Sequence, residues 1–350
     1  MEEIDYIELS FIKGLGNKTI KELLSFYGTP ENIFNADDLE KTFGKKVTKL
    51  IKERDTREAA EKEYQKASEK DVKIIHFNDK NYPENLKEIP DPPVYFYLKG
   101  ELPIPQDCIA VVGSRKFSTY GKVVTRSIVK RLIENNITVV SGMASGIDSI
   151  AHRSCIENGG KTIAVLGSGI DVIYPSENVG LYRDIVKNGA VISEFPLGTK
   201  PSKFTFPQRN RIVAGLSYGT IVVEAPKKSG SLITANLANE YGRAVFAVPT
   251  NINNPNGEGC NELLKQGAYP LTSIEDIFHE IPFLKSVKTE EEIVELSEDE
   301  RVVFENIKNP ITVDELLVKT GKSFNELLNI LFSLQMKGLI VEESGFYQRS

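Results

Sequence analysis

A doubly wound, mostly parallel α/β sheet is the fold class this sequence predicts, and three observations predict it. Between residues 109 and 241 short β-branched runs recur, each ending in a small polar loop and leading into a helix-favouring segment. Most of these runs do not alternate in polarity, as expected for strands buried on both faces. Segments of about a dozen residues separate them, enough for right-handed helical crossovers. A small helical domain precedes the sheet and a winged-helix domain follows it.

Residues 1–68 read as the helical domain. Ile12-Lys-Gly-Leu-Gly-Asn-Lys-Thr-Ile-Lys-Glu-Leu-Leu24 joins two helical segments through a Gly-x-Gly turn, the pattern of a SAM-like or helix-hairpin-helix unit. Such a turn can present backbone amides to a DNA phosphate, and it serves equally as a packing turn or protein contact. Residues 41–70 are highly charged and read as a solvated helix leading out of this domain.

Residues 69–285 hold the sheet. The expected strands are 72–77, 94–98, 108–112, 138–140, 162–166, 190–193, 220–224 and 244–248. Pro83, Pro90, Pro92 and Pro93 interrupt the approach, so the first two strands are expected as an appended hairpin or edge.

Residues 290–350 carry three capping boxes, Ser297-x-x-Glu300, Thr312-x-x-Glu315 and Ser323-x-x-Glu326. They predict three short helices, the last running over 324–337 and ending at Gly338. A hairpin over 339–347 turns at Ser344-Gly345, which completes a winged helix. The third helix of such a domain normally reads the major groove. Here Glu326 and Lys337 are its only charges among many leucines, so it suits a protein contact better than a duplex.

Composition is that of an ordinary globular protein, 40% hydrophobic and 26% charged over 350 residues. No apolar run is long enough to span a bilayer, and the acidic start lacks the basic region of a signal peptide. Cys108, Cys155 and Cys260 are widely spaced, which argues against disulfides and zinc and for a cytoplasmic protein. No metal or cofactor is expected. The net charge of −6 conceals an asymmetry. Residues 291–350 hold 12 acids and 6 bases, so the first 290 residues sum to zero. Within them, 196–243 contains seven bases against Glu224 and Glu240, a local basic field suited to a polyanion.

In a parallel sheet the strand-to-loop junctions fall on the carboxyl edge, where ligands bind. Three of them place Gly and Ser amides beside a helix start, which suits phosphates. The segment Lys200-Pro-Ser-Lys-Phe-Thr-Phe-Pro-Gln-Arg-Asn-Arg211 interleaves cations with aromatic rings, the combination that holds single-stranded nucleic acid. Pro207 suits the first helical position, with Phe204 expected inside and Phe206 exposed. Asp148 and His152 share a helix face, as an Asp–His pair that orients a general base or as a brace for the Gly142–Gly146 loop. Glu224 at a strand end is a candidate carboxylate, more readily a partner for loop amides, Arg209 or Arg211. Dinucleotide binding is excluded. Gly113-Ser-Arg-Lys-Phe-Ser fails the glycine fingerprint, and Gly167-Ser-Gly-Ile-Asp-Val lacks its third glycine.

Four segments taken together resemble the DNA processing protein A family, also called DprA or Smf. They are Gly113-Ser-Arg115, Ser141-Gly-Met-Ala-Ser-Gly-Ile-Asp-x-x-Ala-His152, Phe206-Pro-x-Arg-Asn-Arg211 and Ser229-Gly-Ser-x-x-Thr-Ala235. The resemblance covers nearly the whole chain. It implies a Rossmann-like homodimer, not an enzyme, that binds and protects single-stranded DNA and helps load RecA recombinase during natural transformation. It further implies Arg115 as a phosphate clamp, Lys203 and Arg209 as charge, and Phe206 as a base-stacking ring. Ser114, Ser141, Gly142, Gly146, Ser229, Gly230 and Ser231 would donate hydrogen bonds, and Gly113, Asn210 and Arg211 complete the implied site. Met143-Ala-Ser145 departs from the family, where a Gly or Ala then Arg is expected; the lost cation has Lys227 and Lys228 as substitutes. An enzyme of the same superfamily, a nucleotide phosphoribohydrolase, is the alternative. Gly215-Leu-Ser-Tyr-Gly-Thr-Ile-Val-Val-Glu224 lacks that enzyme's Pro-Gly-Gly start and displaces its Glu by one residue. A scaffold that does not touch DNA is the third class.

Overall fold

The structure, a computed structural model, describes residues 2–103, 107–284, 296–307, 309–336, 339–343 and 345–349. It falls into two compact units, Met1–Ser286 and Val287–Ser350.

The first unit opens with five helices: α1 (Glu2–Phe11), α2 (Asn17–Tyr27), α3 (Pro30–Asn35), α4 (Leu39–Lys52) and α5 (Arg57–Glu69). The turn between α1 and α2 uses Gly14 at φ +86°, as the Gly-x-Gly pattern predicts. The charged stretch after it is not one helix: α4 is kinked at Gly44, which is at φ +80°. The stretch breaks again after Lys52, and the next helix, α5, buries Ala60, Glu63 and Ala67.

A nine-stranded sheet follows: β1 (Lys73–His76), β2 (Tyr95–Gly100), β3 (Cys108–Val112), β4 (Thr138–Ser141), β5 (Thr162–Val165), β6 (Ala190–Ser193), β7 (Gly219–Val222), β8 (Ala244–Ala247) and β9 (Tyr269–Pro270). Interleaved with it are α6 (Glu84–Glu88), α7 (Thr119–Glu134), α8 (Ile147–Glu157), α9 (Val179–Asn188), α10 (Thr205–Leu216), α11 (Gly230–Glu240), α12 (Glu258–Lys265) and α13 (Glu275–Glu280). Strand order is β1-β2-β6-β5-β4-β3-β7-β8-β9. All neighbours from β6 to β9 are parallel, whereas β1 and β2 form the expected antiparallel edge. The chain enters at β3, steps outward to β6, then returns to the other side of β3 as β7. That reversal makes the β3–β7 boundary the topological switch point, the crevice where open α/β sheets bind ligands.

Burial on both faces explains the unalternating strands. Ile109 and Val111 of β3 enter a core with α7, α8 and α13, while Ala110 and Val112 enter one with α6, α10, α11 and α12. The N-terminal helices and α9 cover the sheet at β2, β5 and β6, so their apolar residues are continuous with Tyr95, Tyr97, Ala164 and Val191. Polar ties reinforce this: the Tyr97 hydroxyl donates to Glu63 at 2.7 Å, and Lys21 Nζ donates to the Ile89 carbonyl at 2.8 Å.

The second unit contains α14 (Glu298–Asn306), α15 (Val313–Thr320), α16 (Phe324–Met336) and the antiparallel pair β10 (Ile340–Glu343) and β11 (Phe346–Arg349). Ser297 with Glu300, and Thr312 with Glu315, form reciprocal capping boxes. Glu326 reaches back to the Ser323 amide and hydroxyl at 3.0 and 2.6 Å. Lys337 and Gly338, expected to close the third helix, and Ser344 of the hairpin turn lie outside the described residues. Among the described residues no helix is long and apolar enough to cross a membrane.

Candidate nucleic-acid interface

A cleft of about 500 Å³ opens at the carboxyl edge of β3, β4 and β7, on the switch point. Its walls come from the loop after β3 (Gly113, Ser114, Arg115, Lys116), the loop after β4 (Gly142, Ala144), and the start of α11 (Ser229, Gly230, Ser231). Phe206, Arg209 and Asn210 of α10 complete it. Ten of the fourteen sequence-predicted residues therefore meet in one place. Ser141, Gly146, Lys203 and Arg211 do not line it. A second cleft of about 570 Å³ lies at the opposite, amino edge of β7 and β8, beside Arg243, Tyr218 and Tyr269, away from these motifs.

The loops are held by internal hydrogen bonds. Buried Glu224 accepts from the Ser118 amide at 2.8 Å and hydroxyl at 2.5 Å, which fixes the start of α7. It pairs with neither Arg209 nor Arg211. Asp148 accepts from the Gly142 and Ala144 amides at 3.1 and 3.4 Å, bracing the β4 loop. Burial pushes the Asp148 carboxyl up, and Arg209 and those amides pull it back. His152 does not join Asp148: its Nδ1 meets the Thr162 hydroxyl at 2.7 Å, tying α8 to β5. Burial, followed by the positive charge of Arg209, holds the His152 pKa down to about 3.

Several expected donors prove to be occupied. The Ser114 amide donates to the Glu224 carbonyl at 2.7 Å and its hydroxyl to the Lys116 carbonyl at 2.6 Å. Ser141 donates its hydroxyl to the Val111 carbonyl at 2.7 Å, and the Gly142 amide is taken by Asp148. In this structure these hydrogen bonds shape the loops. Gly146, at φ +90°, lets α8 begin against the backbone of Ser114 and Arg115. At α11 the Ser229 hydroxyl caps the helix by accepting from the Ser231 amide at 3.3 Å. Gly230 next to it lines the cleft at the first position of the helix, and no partner is found for its amide among the described residues.

The basic motif divides into three roles. Arg209 is buried, and its Nη1 donates to the Gly142 carbonyl at 2.6 Å and to the Val165 carbonyl. Burial lowers its pKa to about 10, Asp148 raises it and Arg115 lowers it, so the group stays charged beneath the cleft floor. A Cβ at 142 would lie 2.4 Å from Arg209 Nη2, so any larger residue there would have to displace the guanidinium. Arg211 turns away, to Glu194 at 2.5 Å and Asp91 at 3.2 Å, and Asn17 Nδ2 donates to the same Glu194 at 2.7 Å. Its role is to join α10 to the N-terminal helices. Arg115 and Lys203 are exposed and meet aromatic rings, the Arg115 guanidinium lying 5.4 Å from the Phe206 centroid and Lys203 Nζ 5.2 Å from that of Phe204. Lys116, Lys227 and Lys228 are exposed on the flanking loops.

The two phenylalanines exchange their expected places. Phe204 is 69% exposed and Phe206 half-buried. The helix begins at Thr205 and not at Pro207, so Phe206 falls in the first turn and faces the sheet edge, while Phe204 stands outside at the N-cap. Lys116, Thr234 and Asn256 also line the cleft without having been foreseen. Lys116 follows Gly113-Ser-Arg115 directly and was open to inference; Asn256 sits on a loop far along the chain with no local signature.

The DNA recombination-mediator protein A model matches residues 73–282, the sheet with its loops. Protein Smf of Synechocystis is 32% identical over 99% of both chains. DNA processing protein DprA of Bacillus subtilis is 44% identical over 61% of this chain and 73% of its own. DprA of Streptococcus pneumoniae superposes with a TM-score of 0.69 at 38% identity, covering 80% of this chain and 98% of that one. DNA processing protein A of Helicobacter pylori, solved for its single-stranded DNA binding mode, gives 0.54 at 30% identity over 61% and 96%. A fold, a strand-edge cleft and an end-to-end relative agree, and this chain belongs to the DprA/Smf family of DNA recombination-mediator proteins.

Proposed function

We propose that this protein binds single-stranded DNA in the switch-point cleft, shelters it, and hands it to RecA recombinase. The observation that carries the reading is the convergence of exposed Arg115, the half-buried ring of Phe206 and the Gly230 helix amide in one cleft. Cations take phosphates, an aromatic face takes an unpaired base, and a helix N-terminus takes a further anion. The Helicobacter pylori relative, described as binding single-stranded DNA, supports the same ligand here. The family's description as a recombination mediator supports the transfer to a recombinase. A homodimer as the working form belongs to this reading on family grounds.

The geometry favours binding over bond cleavage. Asp148 and Glu224, the two carboxylates that the sequence offers for catalysis, are buried and consumed by backbone amides and Ser118. A hydrolytic carboxylate must instead reach substrate or water. Fluorescence anisotropy with a labelled oligothymidylate tests the reading: saturable binding is expected, and no binding at low salt would overturn it. Strand exchange by RecA on single strands already bound by this protein should be accelerated; inhibition would refute the transfer step.

A further inference from the structure

We propose that Tyr174 is a second base-stacking residue, extending the single-strand groove from Phe206 onto the loop that follows β5. This rests on the single-strand reading of the cleft given above.

Phe206 is less available than its place suggests. One side of its ring lies on Gly167: a Cβ at that position would come within 2.7 Å of the ring. The Arg115 guanidinium stands 5.4 Å from the ring centroid. A base stacking there competes with the cation that the phosphates also require. One ring in this setting is a narrow basis for discriminating unpaired DNA.

Tyr174 supplies another. Its ring centroid lies 5.7 Å from that of Phe206, with the planes inclined by 44°. The side chain is 45% exposed, and among the described residues its hydroxyl has no hydrogen-bond partner. Two inclined rings at this spacing offer surfaces for successive bases, the arrangement by which single strands are held without reading sequence.

The loop that carries Tyr174 is built rigidly. The Ser168 hydroxyl donates to the Val172 carbonyl at 2.7 Å, and the Gly169 amide to the Thr199 carbonyl at 2.9 Å. Asp171 accepts from Lys70 at 2.5 Å and from the Gly198 amide at 2.7 Å. The Tyr182 hydroxyl donates to the Ile170 carbonyl at 3.0 Å, and Pro175 on the far side is buried. A half-exposed aromatic on so constrained a loop loses little conformational freedom when a base covers it, which is how preorganisation raises affinity. The competing role, a prop that merely holds Phe206, would give the same ring contact but leave Tyr174 untouched by DNA.

The chain contains no tryptophan, so Tyr174→Trp installs a single reporter. In the full-length variant, oligothymidylate should quench that fluorescence along the same isotherm that anisotropy records, and an abasic strand of equal length should not. Tyr174→Ala should weaken oligothymidylate binding by about 5- to 150-fold with an unchanged salt slope, and Tyr174→Phe should bind as the parent does. Binding without quenching, equal quenching by the abasic strand, or parental affinity in Tyr174→Ala would overturn the proposal. Failure of the parent chain to bind oligothymidylate would instead overturn the single-strand reading beneath it.

Discussion

In the proposed single-strand groove, Arg115 and Phe206 divide the two forces a single strand offers, charge and stacking. Arg115→Ala should weaken binding to every sequence and flatten the dependence of log affinity on log salt by about 0.7, the share of one phosphate contact on a single strand. Phe206→Ala should weaken binding by about 5- to 150-fold and leave that slope unchanged. Anisotropy across a salt series checks both, and a slope that moves with Phe206 would contradict the division. Arg211 is a contrasting case. It looks equivalent to Arg115 in sequence, yet it pairs with Glu194, across a loop, and with Asp91, far off along the chain, where no local pattern could reveal them. Arg211→Met should lower stability by about 3 kcal/mol, read from the urea midpoint, with no change in the salt slope of the protein that stays folded. The serines teach the same lesson. Sequence shows that Ser114 and Ser141 can donate, but not that the Lys116 and Val111 carbonyls already accept from them.

Strands and loops were the most legible elements, because the physics that forms them is local. β3, β5 and β7 are β-branched runs without alternation, and both their faces are buried. β9 has no sequence signature because it is only two residues long, includes Pro270 and is formed by pairing with β8. The helix α10 starts two residues before Pro207, enough to put Phe204 outside and half-bury Phe206, since a helix presents a different face with each step. His152 tests the packing of α8 on β5. Its pKa of about 3 in the folded chain lies below the ordinary histidine value of about 6.5, so the unfolded chain binds more protons between those pH values. Stability that is present above pH 6.5 is therefore lost as pH falls toward 3. Asp148, with its carboxyl pushed up by burial, opposes this, so the comparison must be with His152→Gln. That variant should lose less stability than the parent between pH 7 and pH 5; equal losses would place His152 outside the buried ring site described.

For the whole molecule, topology and charge distribution matter more than net charge. A chain of net −6 exposes Arg115, Lys116, Lys203, Lys227 and Lys228 on the sheet edge that the strand order opens, and carries its excess acid in residues 291–350. The switch point between β3 and β7 gathers motifs separated by more than a hundred residues, which is why each was weak alone and informative together. In the proposed function this edge recognises unpaired DNA through cations and an aromatic ring acting jointly. Its most direct test is one anisotropy experiment, in which the full chain is titrated against a labelled single strand and the matching duplex across a salt series. The single strand should bind far more tightly at every salt concentration, with both affinities falling as salt rises. Equal affinity for the two forms would show that only phosphates are being read, and would contradict the account.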